Sequence, residues 1–270
     1  DMARMAREAV EKAGLAMSDV EHIGVGSPGT CNAANGIVEY ANNLGFDHVP
    51  IKAWLEEDLR VPVSIENDAN AAALGEALAG AARGARSCVC ITLGTGVGGG
   101  IILDGKVYSG FNYAGAELGH MVIMVDGEDC TCGRQGCWEA YASATALVRQ
   151  TRRAMEAHPD SAMWKIAGSL DNVDGRTAFD GMRAGDDAAS RVVENYVHYV
   201  ACGLINVINI FQPEVLCIGG GICKEGETLL APIREYIFQE RYSKFCDHQT
   251  RLCVAELGND AGVIGAACLD

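Results

Sequence analysis

Basic residues are scarce in this chain of 270 residues. It carries 21 Lys and Arg against 36 Asp and Glu, so its formal net charge is −15 at pH 7. A nucleic-acid-binding surface needs clustered Lys and Arg to neutralise phosphates, and this deficit argues against such a surface. The charge balance is typical of a protein that handles small neutral ligands or metal-bound nucleotides.

Long apolar runs, signal peptides and internal repeats are also absent from the sequence. No apolar run approaches the roughly 20 residues that a membrane-spanning helix needs, so no membrane partner is expected. Because no signal peptide is visible, the expected compartment is the cytoplasm. No repeat recurs with a period of roughly 20–50 residues, and no segment has low complexity.

Cysteine, by contrast, is abundant, with 12 residues. Disulfide frameworks belong mainly to small secreted domains, so scattered cysteines in apolar segments are predicted to be buried free thiols. The scattered set is Cys31, Cys88, Cys90, Cys202, Cys217, Cys223, Cys246, Cys253 and Cys268.

Segments typical of strands and helices alternate along the chain, and most strands end in a polar or glycine-rich turn. This order predicts an α/β fold with ligands at the strand ends. The predicted helices cover residues 1–16, 51–59, 69–82, 139–157 and 186–211, with a short helix at the end of the chain. The predicted strands cover residues 21–27, 61–66, 88–93, 215–218 and 251–256, and residues 31–50 are predicted to form a loop.

A glycine-rich segment, residues 94–100, follows the predicted strand at 88–93. Glycines let the backbone approach a ligand closely and direct several N–H groups at phosphate oxygens. The segment lacks the Gly-Lys-Ser/Thr ending of a P-loop, and a hairpin rather than a helix is expected after it. The alternative is a tight glycine hairpin that binds no ligand.

Asn67 and Asp68 stand between a predicted strand and a predicted helix. A carboxylate at a strand end can lie in a cleft and accept a proton from a substrate hydroxyl. The alternative, which local sequence favours, is that Asp68 only caps the helix.

Three cysteines within eight residues, Cys130, Cys132 and Cys137, are separated by glycines, and His120 precedes them. Cys₃His is a common tetrahedral ligand set for structural zinc, so the spacing predicts a zinc site. The alternatives are three buried or redox-active thiols and a structural histidine. Two acidic residues, Glu117 and Glu139, flank these ligands. They are ordinary surface acids unless the metal brings them into a site.

Taken in order, these elements resemble the ROK family of sugar kinases and sugar-responsive repressors. The matching segments are Glu117-Leu118-Gly119-His120, residues 130–139, Ser27-Pro28-Gly29, residues 66–70, residues 93–100, Gly219-Gly220-Gly221 and residues 258–267. The resemblance implies an actin-like, ribonuclease H-like ATPase fold of two lobes with a cleft between them. It places the smaller lobe at residues 1–72, with residues 257–270 returning to it. The larger lobe, residues 73–256, would carry the zinc loop.

The resemblance also implies an ATP-dependent hexose kinase, most simply a glucokinase, with Mg²⁺ travelling with the nucleotide. Asp68 would be the catalytic base, and the zinc would be structural. The implied sugar-binding residues are Gly29, Asn67, Asp68, Glu117, His120 and Glu139. The implied nucleotide-binding residues are Gly94, Thr95, Gly96, Gly98, Gly219, Gly220 and Gly221, and the implied zinc ligands are His120, Cys130, Cys132 and Cys137. A homodimer or homotetramer is usual in the family.

The chain departs from the family in one respect. Family kinases begin with a strand that carries an Asp-x-Gly-Gly-Thr turn, the first phosphate loop, and this sequence has no such turn. We therefore expect a smaller lobe that is incomplete at its N-terminus, weak binding of ATP and Mg²⁺, and open sheet edges. Two alternatives remain: the sugar-sensing domain of a ROK-type repressor, and a kinase for N-acetylmannosamine, fructose or allose.

Overall fold

The computed structural model describes residues 1–41 and 44–269. The chain divides into two compact units. Unit 1 comprises Asp1–Cys90, Gly100–Ala116 and Ala255–Asp270, and unit 2 comprises Ile91–Gly99 and Glu117–Val254. Among the described residues, no helix combines the length and the apolar composition needed to cross a membrane.

The described α-helices are α1 (Met2–Lys12), α2 (Ile51–Leu59), α3 (Asp68–Ala79), α4 (Glu139–Ala142), α5 (Ala144–Ala157), α6 (Met163–Ala167), α7 (Thr177–Arg183), α8 (Asp187–Phe211), α9 (Glu227–Glu240) and α10 (Ala261–Ala267). The described strands are β1 (Ile23–Ser27), β2 (Thr30–Asn32), β3 (Ile37–Ala41), β4 (Phe46–Val49), β5 (Val63–Asn67), β6 (Cys88–Leu93), β7 (Val97–Leu103), β8 (Lys106–Val107), β9 (Val215–Gly219) and β10 (Arg251–Val254).

These strands form three sheets in the described part of the chain. β1 and β5 pair in parallel, and β2, β3 and β4 form an antiparallel sheet in that order. The remaining strands form a five-stranded sheet in the order β10-β9-β6-β7-β8. Parallel strands joined through helices, as in the pairs β1–β5 and β9–β10, are typical of an α/β fold. The predicted fold class is therefore confirmed.

The segment predicted as a loop, residues 31–50, instead contains β2, β3 and β4. Each strand is only three to five residues long, and its buried positions are few: Cys31, Val38 and Ala41 are almost fully buried in the core of unit 1. Gly45, one of the residues that favoured a loop, lies in the turn before β4 with φ +63°. Asn42 and Asn43, which belong to the same predicted loop, lie outside the described residues.

The predicted helix at 139–157 is two helices, because Ser143 interrupts it. Its backbone is extended (φ −71°, ψ 160°), and its hydroxyl accepts a hydrogen bond from Ala146 N at 3.1 Å. Ser143 is thus the N-cap of α5, a role that a serine inside an apparently continuous helix can take. The helices α6, α7 and α9 were not predicted. Helix α9 contains Pro232, a residue that usually argues against a helix interior.

Helix α3 packs closely on α10 within unit 1. A Cβ atom on Gly75 would collide with the carbonyl oxygen of Ala261, and one on Gly265 would collide with the carbonyl oxygen of Ala71. Only glycine permits this backbone-to-backbone approach. This close approach packs α10, near the end of the chain, against α3. Residues 73–90 belong to unit 1 in the structure. The sequence resemblance predicts them in the larger lobe.

Candidate active site

In unit 1, the predicted base Asp68 is the first residue of α3, and Asn67 is the N-cap. The side-chain oxygen of Asn67 accepts hydrogen bonds from Ala69 N (2.9 Å) and Asn70 N (3.2 Å). Asp68 also accepts one bond, from Ala69 N at 2.8 Å, but its side chain remains exposed. The capping role that local sequence assigned to Asp68 therefore belongs to Asn67, and the Asp68 carboxylate remains accessible.

Gly29 lies beside this pair. Its carbonyl oxygen accepts a hydrogen bond from Nδ2 of Asn67 at 3.0 Å, so one amide joins the helix start to the turn after β1. Gly29 has φ +90°, and a Cβ atom there would collide with Tyr40 O and with Ala41. The predicted residues Gly29, Asn67 and Asp68 are thus together in the structure.

The buried carboxylate of Glu66 accepts hydrogen bonds from the residues that begin α3. Glu66 is 6% exposed, and its Oε1 accepts hydrogen bonds from Asn67 N (2.8 Å) and Asn70 Nδ2 (3.0 Å). Burial and the nearby Glu66 charge raise the pKa of the Cys31 thiol to about 12, so this cysteine stays protonated. Glu66 was not predicted as a site residue, and no sequence signal beyond its position before Asn67 distinguishes it.

Asp68 also lines a cavity of about 710 Å³ within unit 1. Most of its walls are apolar and come from α1, α2, β1 and α10, with Met5, Leu55 and Val263 among them. Asp68 is its only acidic lining residue.

In unit 2, the four predicted metal ligands converge. One donor atom from each of His120, Cys130, Cys132 and Cys137 lies within 4.8 Å of the others. Nδ1 of His120 is 3.6 Å from Sγ of Cys130, and Sγ of Cys132 is 3.7 Å from Sγ of Cys137. A tetrahedral zinc with bonds near 2.3 Å separates its sulfur ligands by about 3.8 Å. The arrangement is therefore compatible with a structural zinc ion.

The loop between these ligands owes its shape to glycines and short backbone bonds. Cys130 N donates to Arg134 O at 2.8 Å, and Gly133 N donates to Cys130 O at 3.0 Å. Gly136 has φ +79°, and a Cβ atom there would collide with Met124 O. This tight fold directs three thiols at one point, as their spacing predicts.

Glu139 connects the metal-ligand loop with the glycine segment. Its Oε2 accepts a hydrogen bond from Val97 N at 2.9 Å, and its Oε1 lies 3.4 Å from the hydroxyl of Thr131. The Cys130 thiol donates to the same Oε1 at 3.9 Å. Glu139 is therefore more than a surface acid: its carboxylate is held by both loops. Glu117 precedes the 3₁₀ turn Leu118–His120, which places it one turn from the histidine ligand.

The glycine segment forms a shorter turn than predicted. Only residues 94–96 lie in the turn, because β7 begins at Val97 and includes Gly98. Gly94 N donates to Gly96 O at 3.0 Å, and the Thr95 carbonyl accepts the Thr145 hydroxyl at 2.8 Å. Gly98 is thus a strand residue and not part of the turn.

A second glycine turn packs against the end of β6. Gly220 has φ +105°, and a Cβ atom there would collide with the carbonyl oxygen of Leu93. Gly94, Thr95 and Gly221 line a common cavity of about 580 Å³. Gly96, Gly219 and Gly220 shape these two turns but do not line the cavity.

The same cavity has charged walls that sequence reasoning missed: Arg176, Arg183, Lys224 and Glu225. Arg183 forms an ion pair with Glu225, whose side chain is 8% exposed, and this partner raises the pKa of Arg183. Lys224 stands three residues after Gly221, so its position beside the glycine turn was a usable signal. Arg176 lies in the turn before α7, where nothing in the sequence indicates a ligand.

No disulfide joins the cysteines that the structure describes. Cys31, Cys88, Cys217 and Cys223 are buried, as predicted. Cys246 and Cys268 are exposed, because they lie in the segment after α9 and at the end of α10.

The ROK family model matches residues 2–270 of the chain. The chain belongs to the ROK family. A glucokinase of Thermotoga maritima is 39% identical over 94% of this chain and 81% of the relative. The xylose repressor of Bacillus subtilis is 29% identical to this chain, over 92% of this chain and 60% of the repressor.

The fold of this ROK chain matches solved ROK structures. A Streptomyces griseus ROK glucokinase, in complex with glucose and AMPPNP, superposes with a TM-score of 0.80 at 36% identity, covering 98% of this chain and 86% of the other. A Thermus thermophilus ROK hexokinase gives a TM-score of 0.79 at 37% identity, covering 98% of this chain and 82% of the other. The actin-like ATPase fold expected from the sequence is therefore confirmed.

Proposed function

We propose that this chain is an ATP-dependent glucokinase that transfers the γ-phosphoryl group of ATP to a hydroxyl of glucose. The glucokinase relatives are 37–39% identical to it, whereas the xylose repressors are 28–29% identical. The observation that carries the proposal is the accessible carboxylate of Asp68 on a helix that Asn67 already caps. A sugar sensor needs this carboxylate only to bind the sugar, whereas a kinase also needs it to accept a proton.

In this proposal, Asp68 takes the proton from the attacking hydroxyl. The hydroxyl oxygen then bonds to the γ-phosphorus as the bond to ADP breaks. Positioning and charge neutralisation dominate such a transfer, and Mg²⁺ that arrives with the nucleotide supplies the neutralising charge. One amide N–H of Asn67 donates to Gly29 O, and the other would donate to a sugar hydroxyl.

In unit 2, we assign Glu117, His120 and Glu139 to the other hydroxyls of the hexose. Nδ1 of His120 faces Cys130, so Nε2 is the nitrogen left to meet a sugar. The bond from Val97 N fixes the carboxylate of Glu139, which lowers the entropy lost when that carboxylate binds a ligand.

The cavity at Gly94, Thr95 and Gly221 is proposed as the nucleotide site. Its positive walls, Arg176 and Lys224, suit the phosphates of ATP, and backbone N–H groups of the glycine turns can also reach phosphate oxygens. Gly96 and Gly219–Gly220 contribute by holding these turns in shape.

Asp68→Asn tests the catalytic assignment. We expect at least a hundredfold loss of turnover in a coupled assay of ADP release, because a general base contributes roughly 10²–10⁴-fold. Glucose binding, measured by calorimetry, should remain within a few-fold of the wild-type value. Turnover that survives the substitution would refute Asp68 as the base.

The wild-type chain itself separates kinase from sensor. Glucose binding with ADP release supports the kinase, whereas glucose binding without turnover at saturating ATP supports the sugar-sensing domain of a repressor. A panel of glucose, N-acetylmannosamine, fructose and allose then ranks the substrates. The expected weak binding of ATP stays a prediction that a nucleotide titration measures, and the expected dimer or tetramer is measured by light scattering.

We further propose that His120, Cys130, Cys132 and Cys137 hold one structural zinc ion. When bound, the zinc fixes the loop that carries Glu139 and performs no chemical step. Metal analysis of freshly purified, reduced protein should find about one zinc per chain, and Cys132→Ser should lower that content and the melting temperature. Cys246→Ser, at an exposed cysteine outside the cluster, is the matched control. A metal-free wild type would exclude the zinc site.

A further inference from the structure

A separate cavity of unit 2 lies between helices α5 and α8, and none of its lining residues is assigned to sugar, nucleotide or zinc. Its volume is about 340 Å³, at the lower end of the roughly 300–1,000 Å³ usual for small-ligand pockets. Helix α5 contributes Arg149 and Arg153, one turn apart, and His158 follows its last residue. Helix α8 contributes Arg191.

The lining of this cavity is positive, in a chain whose net charge is −15. Three guanidinium groups face a single carboxylate, Glu128, and His158 adds a further nitrogen donor or acceptor. A concentration of arginines in a concave, partly desolvated place raises the local concentration of anions. This feature has no use in the glucokinase reaction described above.

The single carboxylate does not satisfy all three arginines. Arg153 donates to both carboxylate oxygens of Glu128, at 2.5 Å and 3.1 Å. Arg149 Nε is 3.7 Å from Glu128, is buried and has no hydrogen-bond partner, while its Nη2 donates to Ala140 O. A buried donor without a partner destabilises the fold, and a bound acceptor would relieve that cost.

Arg191 is the second arginine of the cavity whose N–H donors lack a full set of acceptors. Among the described residues it has no carboxylate within ion-pair distance, and its Nη2 lies 3.3 Å from Nε2 of His158. Its guanidinium therefore keeps most of its five N–H donors available to a ligand. Arg149 and Arg191 thus offer charged donors from two helices to one cavity.

We propose that this cavity binds a phosphate group, either as free inorganic phosphate or as the monoester group of a small phosphorylated molecule. Planar guanidinium forks pair with phosphate oxygens in bidentate fashion, and a dianion best compensates an excess of arginines. Bound there, the phosphate would cross-link α5 and α8. The site would thus couple phosphate binding to the stability of unit 2.

Calorimetric titration of the intact chain with inorganic phosphate, and then with glucose 6-phosphate, tests the proposal at constant ionic strength and without nucleotide. Arg191→Gln should weaken binding about tenfold or more, because it removes a charge-assisted donor. Glu128→Gln should tighten binding several-fold, because it removes the competing carboxylate. Only the binding that Arg191→Gln weakens reports on this cavity. If that part is tighter for inorganic phosphate, the ligand is free phosphate; if it is tighter for the hexose phosphate, the ligand is a monoester.

An exposed ion pair on α9 provides matched controls. Arg234 and Glu227 are 2.6 Å apart, so Arg234→Gln and Glu227→Gln change the net charge by the same amounts away from the cavity. Both controls should leave phosphate affinity within about twofold of the wild-type value. The proposal is overturned if neither phosphate compound binds at millimolar concentration, or if Arg191→Gln and Glu128→Gln bind like the controls. Phosphate held only at the nucleotide site would produce that second result.

Discussion

Replacing Gly203 with alanine should destabilise unit 2, because this glycine of α8 lies directly against the indole of Trp138. A Cβ atom at position 203 would lie within 3.0 Å of three atoms of that ring, a separation that real Cβ atoms do not adopt. Trp138 is fully buried, and its indole N–H donates to Tyr199 O at 2.8 Å, so the ring cannot move aside without losing a hydrogen bond.

Two opposing effects set the size of the destabilisation caused by Gly203→Ala. Overpacking a rigid core costs roughly 1–3 kcal/mol, and the tethered ring places this site near the upper end of that range. Alanine is favoured over glycine inside a helix by about 1 kcal/mol. The expected net destabilisation is therefore about 2 kcal/mol, or a fall of about 4–8 °C in melting temperature for a chain of this size.

Thermal unfolding followed by circular dichroism measures the effect, and Gly262→Ala is the matched control. Gly262 lies in α10, and a Cβ atom there would meet nothing within 4 Å. The control should therefore melt at or slightly above the wild-type temperature. Trp138 stands between Cys137 and Glu139, so Gly203→Ala should also reduce zinc content. Equal melting temperatures for Gly203→Ala and the wild type would refute the packing argument.

Two further predictions concern the nucleotide cavity and a helix cap. Lys224→Gln should raise the KM for ATP roughly 5- to 10-fold without changing glucose affinity, because it removes one charged phosphate contact. Initial rates over a range of ATP concentrations measure this, and an unchanged KM would place the phosphates elsewhere. Asp186→Ala should cost about 1–2 kcal/mol at neutral pH, because Asp186 caps α8 by accepting from Ala189 N (2.7 Å) and also accepts from Ala162 N (2.6 Å). Burial acts to raise the pKa of Asp186, but these N–H bonds outweigh it and lower the pKa. A lowered native pKa means that the stabilisation is complete above the ordinary pKa of about 4 and is lost as the pH falls through the native pKa. The difference in melting temperature between variant and wild type should therefore be constant above about pH 5 and shrink below pH 4, and a difference that grows on acidification would contradict it.

Local patterns in the sequence predict the structure correctly where the interactions that decide it join residues close together in the chain. The metal-ligand cluster is one example, because three of its four members lie within eight residues and glycines close the loop between them. The long helix α8 is another, with an N-cap at Asp186 and a buried stripe along its length. In both cases neighbours along the chain supply the geometry.

Local patterns were misleading wherever distant contacts decide the conformation. The strands β2, β3 and β4 are too short to show alternation, and pairing with one another makes them strands. Asp68 and Asn67 are equally good caps by composition, and the bond from Asn67 to Gly29 selects Asn67. Gly98 is part of β7 because a neighbouring strand pairs with that segment.

The sequence by itself determined the family, the α/β class, the four members of the Cys/His cluster and the candidate base, since each depends on residue type and spacing. Only the tertiary structure decided that Asp68 is accessible, that Glu139 joins two loops, and that Lys224 and Arg176 line the cavity beside the two glycine turns. The arginine cavity between α5 and α8 belongs to the same group. Its lining residues extend along the chain from Glu128 to Tyr199, and only tertiary packing brings their charges together.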